Sequence, residues 1–370
     1  MPCLGALDPV IQDRLAKLGE WLKKLGLPRP NILISSPENR RFFSGFTPTD
    51  PGIAESSGSL LITPRRRCIL SDPRFTLAAK EDSPGFEFIL YGGSLGRAIA
   101  QKFSLSSVLW YEPKYLTVSG LMDLAQNLRV DLEPLPKDLS DLRLAKTDSE
   151  LTLIKKALAI TEEAMGRLWE NLAPGWTEGQ AALFLDSAFR ELGASGSAFE
   201  TIVASGPRAA LPHAEPGDKV IKKGELVVID CGARYQGYAA DITRTFAAGS
   251  LKDWQKKIYR VVREAQVKAL EALGPGRTGA QVDKVARDHI AEAGYGDYFG
   301  HSLGHGVGLA VHEGPSLSLR ETRQLPVGAV VTIEPGIYLP DQGGVRLEQM
   351  AVITEDGHEL LNHDRHFYDF

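Results

Sequence analysis

Several acidic residues of this chain stand at the ends of apolar strand patterns, where an ionised group is costly to hold. Leu226-Val227-Val228-Ile229-Asp230 reads as a buried strand, and Tyr238–Phe246 is a second strand pattern that carries Asp241. Between them Gly232 and Gly237 flank Ala-Arg-Tyr-Gln, a good hairpin connection. Folding this hairpin about the midpoint between Tyr235 and Gln236 places Asp230 directly opposite Asp241, with Cβ atoms about 4.5–5.5 Å apart. Like charges so close repel, and a buried carboxylate needs a partner or a metal ion. Two divalent cations about 3.5–4 Å apart fit that gap. Two strand-end aspartates making caps or salt bridges would equally account for this hairpin taken alone.

A second hairpin repeats the pattern. Val330-Val331-Thr332-Ile333 ends in Glu334, and Gly344-Val345-Arg346-Leu347-Glu348 leads into Met350–Thr354. A loop centred on Asp341 sets Glu334 opposite Glu348. Arg346, two residues before Glu348, projects from the same face. Between the hairpins lies GHSLGHGVGLAVHE, residues 300–313, which holds His301, His305 and His312, three of the chain's eight histidines. His301 and His305 have the i, i+4 spacing of a zinc-binding helix. Glycines at 300, 304, 306 and 308 disfavour a helix and imply tight turns or close backbone approach instead. His213, in Leu-Pro-His-Ala after the loop Ser205-Gly206-Pro207-Arg208, is by itself only a loop histidine.

The elements that must position these groups follow from periodicity. Residues 8–25 repeat apolar positions at helical spacing, with Asp8 as N-cap and Pro9 in the first turn. Strands are expected at Asn31–Ser35, Ser59–Thr63, Arg67–Ser71, Phe86–Tyr91 and Val108–Tyr111, with helices near 94–103 and 117–128. This alternation suggests a small α/β domain over residues 1–140. Thr147 with Glu150 has the form of a capping box opening a long amphipathic helix to about Asn171. Residues 148–370 then form a second domain, with further helices near 178–192, 251–272 and 278–293.

Bulk properties narrow the class. A chain of 370 residues is long enough for two domains. A formal charge of -5 gives no basic face for nucleic acid. Three widely spaced cysteines, Cys3, Cys68 and Cys231, make no disulfide framework and suit a reducing compartment. No apolar run approaches membrane-spanning length, and the first residues lack a signal-peptide pattern, so a cytoplasmic protein without membrane partners is expected.

Taken together, Asp230, Asp241, His305, Glu334 and Glu348 resemble, in order and approximate spacing, the five metal ligands of the pita-bread peptidases, the superfamily of methionine aminopeptidase, aminopeptidase P and prolidase. The resemblance covers residues from about 148 to 370. His213 in Pro-His-Ala, His301, His312 in Val-His-Glu and Arg346 in Val-Arg-Leu-Glu resemble accessory residues of the proline-specific branch. Asn39–Phe46 and Ser71–Phe75 look like segments of prolidase-type N-terminal domains. The resemblance implies an α+β chain, a pita-bread (creatinase/aminopeptidase-like) catalytic domain preceded by a smaller α/β domain.

It further implies two divalent ions, with Asp241 and Glu348 bridging, Asp230 on one ion, and His305 and Glu334 on the other. Four carboxylates and one imidazole suit Mn²⁺ best, with Co²⁺ or Zn²⁺ as alternatives. A water activated between the ions would attack the peptide carbonyl, with Glu334 relaying its proton, His312 stabilising the oxyanion and His213 holding the carbonyl or proline side. His301 and Arg346 would contact substrate, and so would Arg74 if loops of the first domain reach a neighbouring subunit. Arg346 as a salt bridge within the carboxylate cluster, and Arg74 as a surface arginine, are the alternative readings. The implied activity is release of the residue ahead of proline from peptides, by a homodimer. The alternative is a prolidase restricted to Xaa-Pro dipeptides. Some prolidases carry an arginine just after the His-Glu-x-Pro segment. Ser316 stands there, which favours longer substrates. A non-peptidase hydrolase, a lyase or a peptide-binding module on the same fold are more distant alternatives.

Overall fold

The computed structural model describes residues 6–27, 30–364 and 366–370. The chain divides into one unit ending at Leu142 and a second beginning at Arg143.

The first unit is built on a six-stranded mixed sheet. Its order is Glu87–Leu90, Arg67–Ser71, Ser59–Ile62, Asn31–Ile34, Leu109–Tyr111 and Leu132–Pro134. The two hairpin pairings at its centre are antiparallel and the outer ones parallel. Leu33, Leu61, Leu70 and Leu109 fill its core with Ile99 and Leu124 from two covering helices. The first helix, Pro9–Lys24, starts as its sequence predicts. Asp8 accepts from the Val10 and Ile11 amides, and Pro9 occupies the first turn, where no N–H is needed. A helix at Pro37–Ser44, capped by Ser36 and closed by Gly45 at φ 82°, was not visible in periodicity. It is polar because its inward residues include Asn39 and Arg40, both buried and held by side-chain hydrogen bonds.

The second unit has two similar halves, each a helical pair followed by antiparallel strands. Helices Asp148–Asn171 and Glu178–Glu191 pack on a sheet of Ile202–Ser205, Leu226–Cys231 and Ile242–Ala247. Helices Asp253–Ala272 and Gly279–Glu292 pack on a five-stranded sheet ordered Glu313–Leu317, Gly304–Gly306, Val330–Ile333, Gln349–Thr354, Gly357–Leu360. The Thr147–Glu150 capping box is present. The two carboxylate-bearing strand pairs thus occupy corresponding places in the two halves.

The register of the first hairpin differs from the one expected. Tyr235 pairs with Tyr238, and Gln236 (φ 45°) with Gly237 (φ 86°) makes a two-residue turn with both φ positive. That turn type matches strand twist and wants glycine at its second position. Asp230 consequently pairs with Thr243, not with Asp241. Asp241 lies two residues along the same face, a diagonal neighbour of Asp230. In the second hairpin Leu339 pairs with Gly343 around Asp341 (φ 60°), and the same register runs through Ile333 and Gln349. Glu334 and Glu348 therefore fall across from each other, as their spacing predicts.

Candidate metal centre

The five metal-type residues come from four strand ends and one glycine-rich strand. Asp230 is the second-to-last residue of the Leu226–Cys231 strand and Asp241 leads into Ile242–Ala247. Glu334 follows Val330–Ile333, and Glu348 precedes Gln349–Thr354. His305 is the middle residue of Gly304–Gly306, not part of a helix. A Cβ on Gly304 would lie 2.0 Å from the Thr332 carbonyl, and one on Gly306 2.0 Å from that of Gly314, so both glycines allow strands to close around the histidine.

Donor atoms of Asp230, Asp241 and Glu348 lie within 4.8 Å of one another, and so do those of His305, Glu334 and Glu348. His305 Nε2 is 3.6 Å from Asp241 Oδ2 and 3.3 Å from Glu334 Oε1. Asp241, His305 and His312 form a third such group.

Burial strains this array electrostatically. Burial, and then the charges of Glu348, Asp230 and Glu334, push the Asp241 carboxyl well above its ordinary range. Glu348 is raised in the same way, by burial and by Glu334 and Asp230. Burial also acts to raise Glu334, but the hydrogen bond and charge of His305 outweigh it and hold Glu334 low. Glu334 in turn lifts His305 to about 9 against the opposing effect of burial. Asp230 Oδ1 and Glu348 Oε1 are buried without any hydrogen-bond partner. Native proteins rarely leave such atoms unsatisfied, and an oxygen-rich set with open carboxylate lone pairs fits hard divalent cations.

The array forms the base of a cavity of about 610 Å³ whose lining also includes Phe199, His213, His301, Val311, His312 and Ser316. His213 and His312 are exposed, and the His312 ring meets that of His305 edge-on at 4.3 Å. Partial desolvation of its ring on the cavity side and the neighbouring His305 lower the pKa of His312. His301, also lowered chiefly by burial, has both ring nitrogens engaged, one at 2.8 Å from the Ser302 carbonyl and the other at 2.9 Å from the Tyr338 hydroxyl. Arg346 is buried and gives its guanidinium to Asp230 at 2.5 Å, Tyr338 at 2.9 Å and Thr243 at 3.1 Å. Arg74 belongs to the other unit, is largely exposed and pairs with Asp72 at 2.7 Å.

Sequence reasoning missed three polar residues that organise the donors. Thr243 donates to Glu348 Oε2 at 2.8 Å. Thr332 accepts from the His305 amide at 3.1 Å and contacts Glu334 at 3.3 Å. Tyr338 joins Arg346 to His301. The signal for the first two was strand alternation, because a threonine two residues from a buried carboxylate shares its face. Tyr338 lies two positions from Gly336, the hairpin partner of Arg346.

Residues 152–355 match the metallopeptidase family M24, and residues 14–145 match the creatinase/prolidase N-terminal domain. An Xaa-Pro dipeptidase of Pyrococcus horikoshii is 48% identical over 356 residues, 95% of this chain and 97% of its own. The solved structure of an Xaa-Pro dipeptidase from Bacillus anthracis superposes with a TM-score of 0.88 at 35% identity, covering 96% of this chain and 98% of the other. An X-Pro aminopeptidase from Thermotoga maritima gives 0.79 at 37% identity, covering 91% and 96%. The chain belongs to metallopeptidase family M24. It is a two-domain hydrolase of the pita-bread class, with a creatinase-type domain ahead of the catalytic one.

Proposed function

We propose that this chain is an Xaa-Pro dipeptidase, a prolidase, that works with two divalent ions held by Asp230, Asp241, His305, Glu334 and Glu348. The observation that carries the metal site is the pair of buried, unpartnered oxygens, Asp230 Oδ1 and Glu348 Oε1, within a ring of metal-type donors. The dipeptide specificity rests on the P. horikoshii and B. anthracis relatives. They favour it over release of the first residue from longer peptides, the reading that the sequence alone suggested. The donor set is oxygen-rich, so Mn²⁺ is the proposed ion. A homodimer is proposed on family resemblance, with light scattering as its check.

When bound, such ions supply Lewis acidity, polarising the scissile carbonyl and acidifying a water molecule. Glu334 takes the proton released as water attacks. It then delivers that proton to the prolyl nitrogen as the C–N bond breaks, giving the free amino acid and proline. A prolyl amide has no N–H to offer, so recognition must come from shape and from its carbonyl. His312, its pKa lowered by partial desolvation of its ring, is neutral near pH 7 and donates a ring N–H to the carbonyl oxygen as charge develops. His213 holds the carbonyl or proline side of the substrate. Arg346, paired with Asp230 at 2.5 Å, orients its carboxylate.

One observation favours the aminopeptidase reading. Ser316 lines the cavity, and Arg346, the arginine among the lining residues, is committed to Asp230. Hydrolysis of Xaa-Pro and Xaa-Pro-Xaa by metal-stripped protein, before and after adding Mn²⁺, decides between them. Metal-restored cleavage of the dipeptide alone supports the prolidase. Cleavage of the tripeptide makes the chain an aminopeptidase. No cleavage of either removes both.

A further inference from the structure

Behind the carboxylate array, on the face turned away from the cavity, one arginine ties the two halves of the catalytic unit together. Arg244 is adjacent to Thr243 on the Ile242–Ala247 strand, so its side chain leaves the opposite face of the sheet. It is fully buried. Its Nη1 donates to the Thr243 carbonyl at 2.9 Å and to the Glu348 carbonyl. Its Nε donates to Asp364 Oδ2 at 2.9 Å, and Nη2 pairs with the other carboxylate oxygen. Glu348 is thereby fixed at both ends of its peptide unit, because its own amide donates to the Thr243 carbonyl at 3.1 Å.

The segment that carries Asp364 is anchored in turn. Glu162, on the first helix of the unit, accepts from the His363 amide at 2.8 Å and the Asp364 amide at 3.2 Å. The same segment reaches the metal-type residues by a second route. Asn362 Oδ1 accepts from the Met350 amide at 2.6 Å, and the Met350 sulfur accepts from the Asp241 amide at 3.4 Å. Phe367 covers the Arg244 guanidinium at 4.5 Å.

We infer that Arg244, clasped by Asp364, is a positioning residue for the metal centre, holding Asp241 and Glu348, which lead into strands of different sheets, at the spacing two ions require. The inference rests on the metal-centre reading proposed above. Charge placement supports a locating role. A guanidinium taken out of water holds its place only while the Asp364 carboxylate neutralises it, so the clasp has one geometry. Its two backbone acceptors are the residues that frame the gap between the sheets. Outer partners of metal ligands change affinity or activity by roughly 10–100-fold when removed.

The test is calorimetric titration of metal-stripped full chain with Mn²⁺, for wild type, Asp364→Asn and Arg244→Lys, with the melting temperature of each stripped protein measured beside it. Asp364→Asn is expected to bind Mn²⁺ about 10–100-fold more weakly. Arg244→Lys, which keeps the charge but not the forked donors, should fall between it and wild type. A variant that melts lower yet binds Mn²⁺ like wild type would overturn the inference, since the clasp would then support the fold alone. Should Asp364→Asn fail to fold, Arg244→Lys, which leaves Asp364 in place, decides. Weakened binding there supports the inference, and unchanged binding overturns it. Wild type that takes up no Mn²⁺ would instead remove the metal-centre reading and the clasp with it.

Discussion

Glu348 is bonded to Thr243 through both main chain and side chain, although Thr243 lies in one sheet and Glu348 immediately precedes a strand of another. The Glu348 amide donates to the Thr243 carbonyl at 3.1 Å, and the Thr243 hydroxyl donates to Glu348 Oε2 at 2.8 Å. That hydroxyl has one proton. Because it also accepts from Arg346 Nε at 3.1 Å, its proton is directed at the glutamate, and Glu348 Oε1 is left facing the donor ring. Thr243→Val keeps the shape and removes the hydroxyl. It should weaken Mn²⁺ binding about 10-fold. It should also lower the stability of stripped protein by about 1–3 kcal/mol, since two buried partners lose their bond. Mn²⁺ titration and urea unfolding in chelator measure the two effects, and wild-type values in both would deny the hydroxyl an orienting role.

How much of this was legible beforehand depends on which interactions are local. Helix starts at Asp8 and Thr147 are local, because capping joins residues three apart. The second hairpin register followed from apolar strand ends placed symmetrically about Asp341. The first register was displaced because Gln236–Gly237 forms the whole turn, where a longer connection had been expected. Both registers leave the carboxylates on one face, so that error did not separate them. Arg244 and Asp364 were not readable. They are 120 residues apart, and nothing near either one signals the other. The helix Pro37–Ser44 escaped because its buried side mixes Asn39 and Arg40 with Phe42 and Phe43, which blurs the usual pattern.

Metal removal should expose the repulsion among the carboxylates. In metal-free protein, burial and three neighbouring carboxylates push Asp241 well above its ordinary range. Asp241→Asn relieves that repulsion with a group of the same shape. Stripped of metal, the variant should melt at or above wild type. Adding Mn²⁺ should raise the melting temperature of wild type and leave the variant unchanged. Its activity should fall by more than about 100-fold, beyond the usual effect of outer partners. A variant that regains activity with Mn²⁺ would remove Asp241 from the ligand set.

The first unit should carry an acid-sensitive pair. Arg40 is fully buried and binds both oxygens of Asp50, at 2.8 and 3.1 Å. Burial acts to raise the Asp50 pKa, but Arg40 and the Ser57 amide outweigh it and hold it below the ordinary 3.8. A folded-state value below the unfolded one gives stability that is complete above the ordinary carboxylate range and lost as pH falls through the depressed value. Asp50→Asn should therefore destabilise at neutral pH by about 1.5–3 kcal/mol, the range for hydrogen bonds to charged groups. The difference from wild type should shrink in strong acid. Urea unfolding at a series of pH values measures it, and a pH-independent difference would assign the effect to packing.

Glu313 should matter both to the fold and to its neighbour in sequence, His312. Its carboxylate pairs with Arg143 and, at 2.8 Å, with Lys146, and all three side chains are no more than 5% exposed. Lys146 also donates to the carbonyls of Arg143 and Leu144, so the group ties the start of the catalytic unit to the loop that presents His312. Glu313→Gln leaves two buried cations facing a neutral amide. Breaking such a pair destabilises by about 3–5 kcal/mol. Because Glu313 also receives the Ala310 amide at 3.4 Å, the loop should loosen where His312 leaves it. Turnover per folded molecule should then drop, and kcat should fall more than KM rises, because the His312 contact strengthens only as the carbonyl oxygen gains charge. Denaturant unfolding and steady-state kinetics on the same preparation separate the two effects. Lost stability with unchanged kcat would confine Glu313 to the fold.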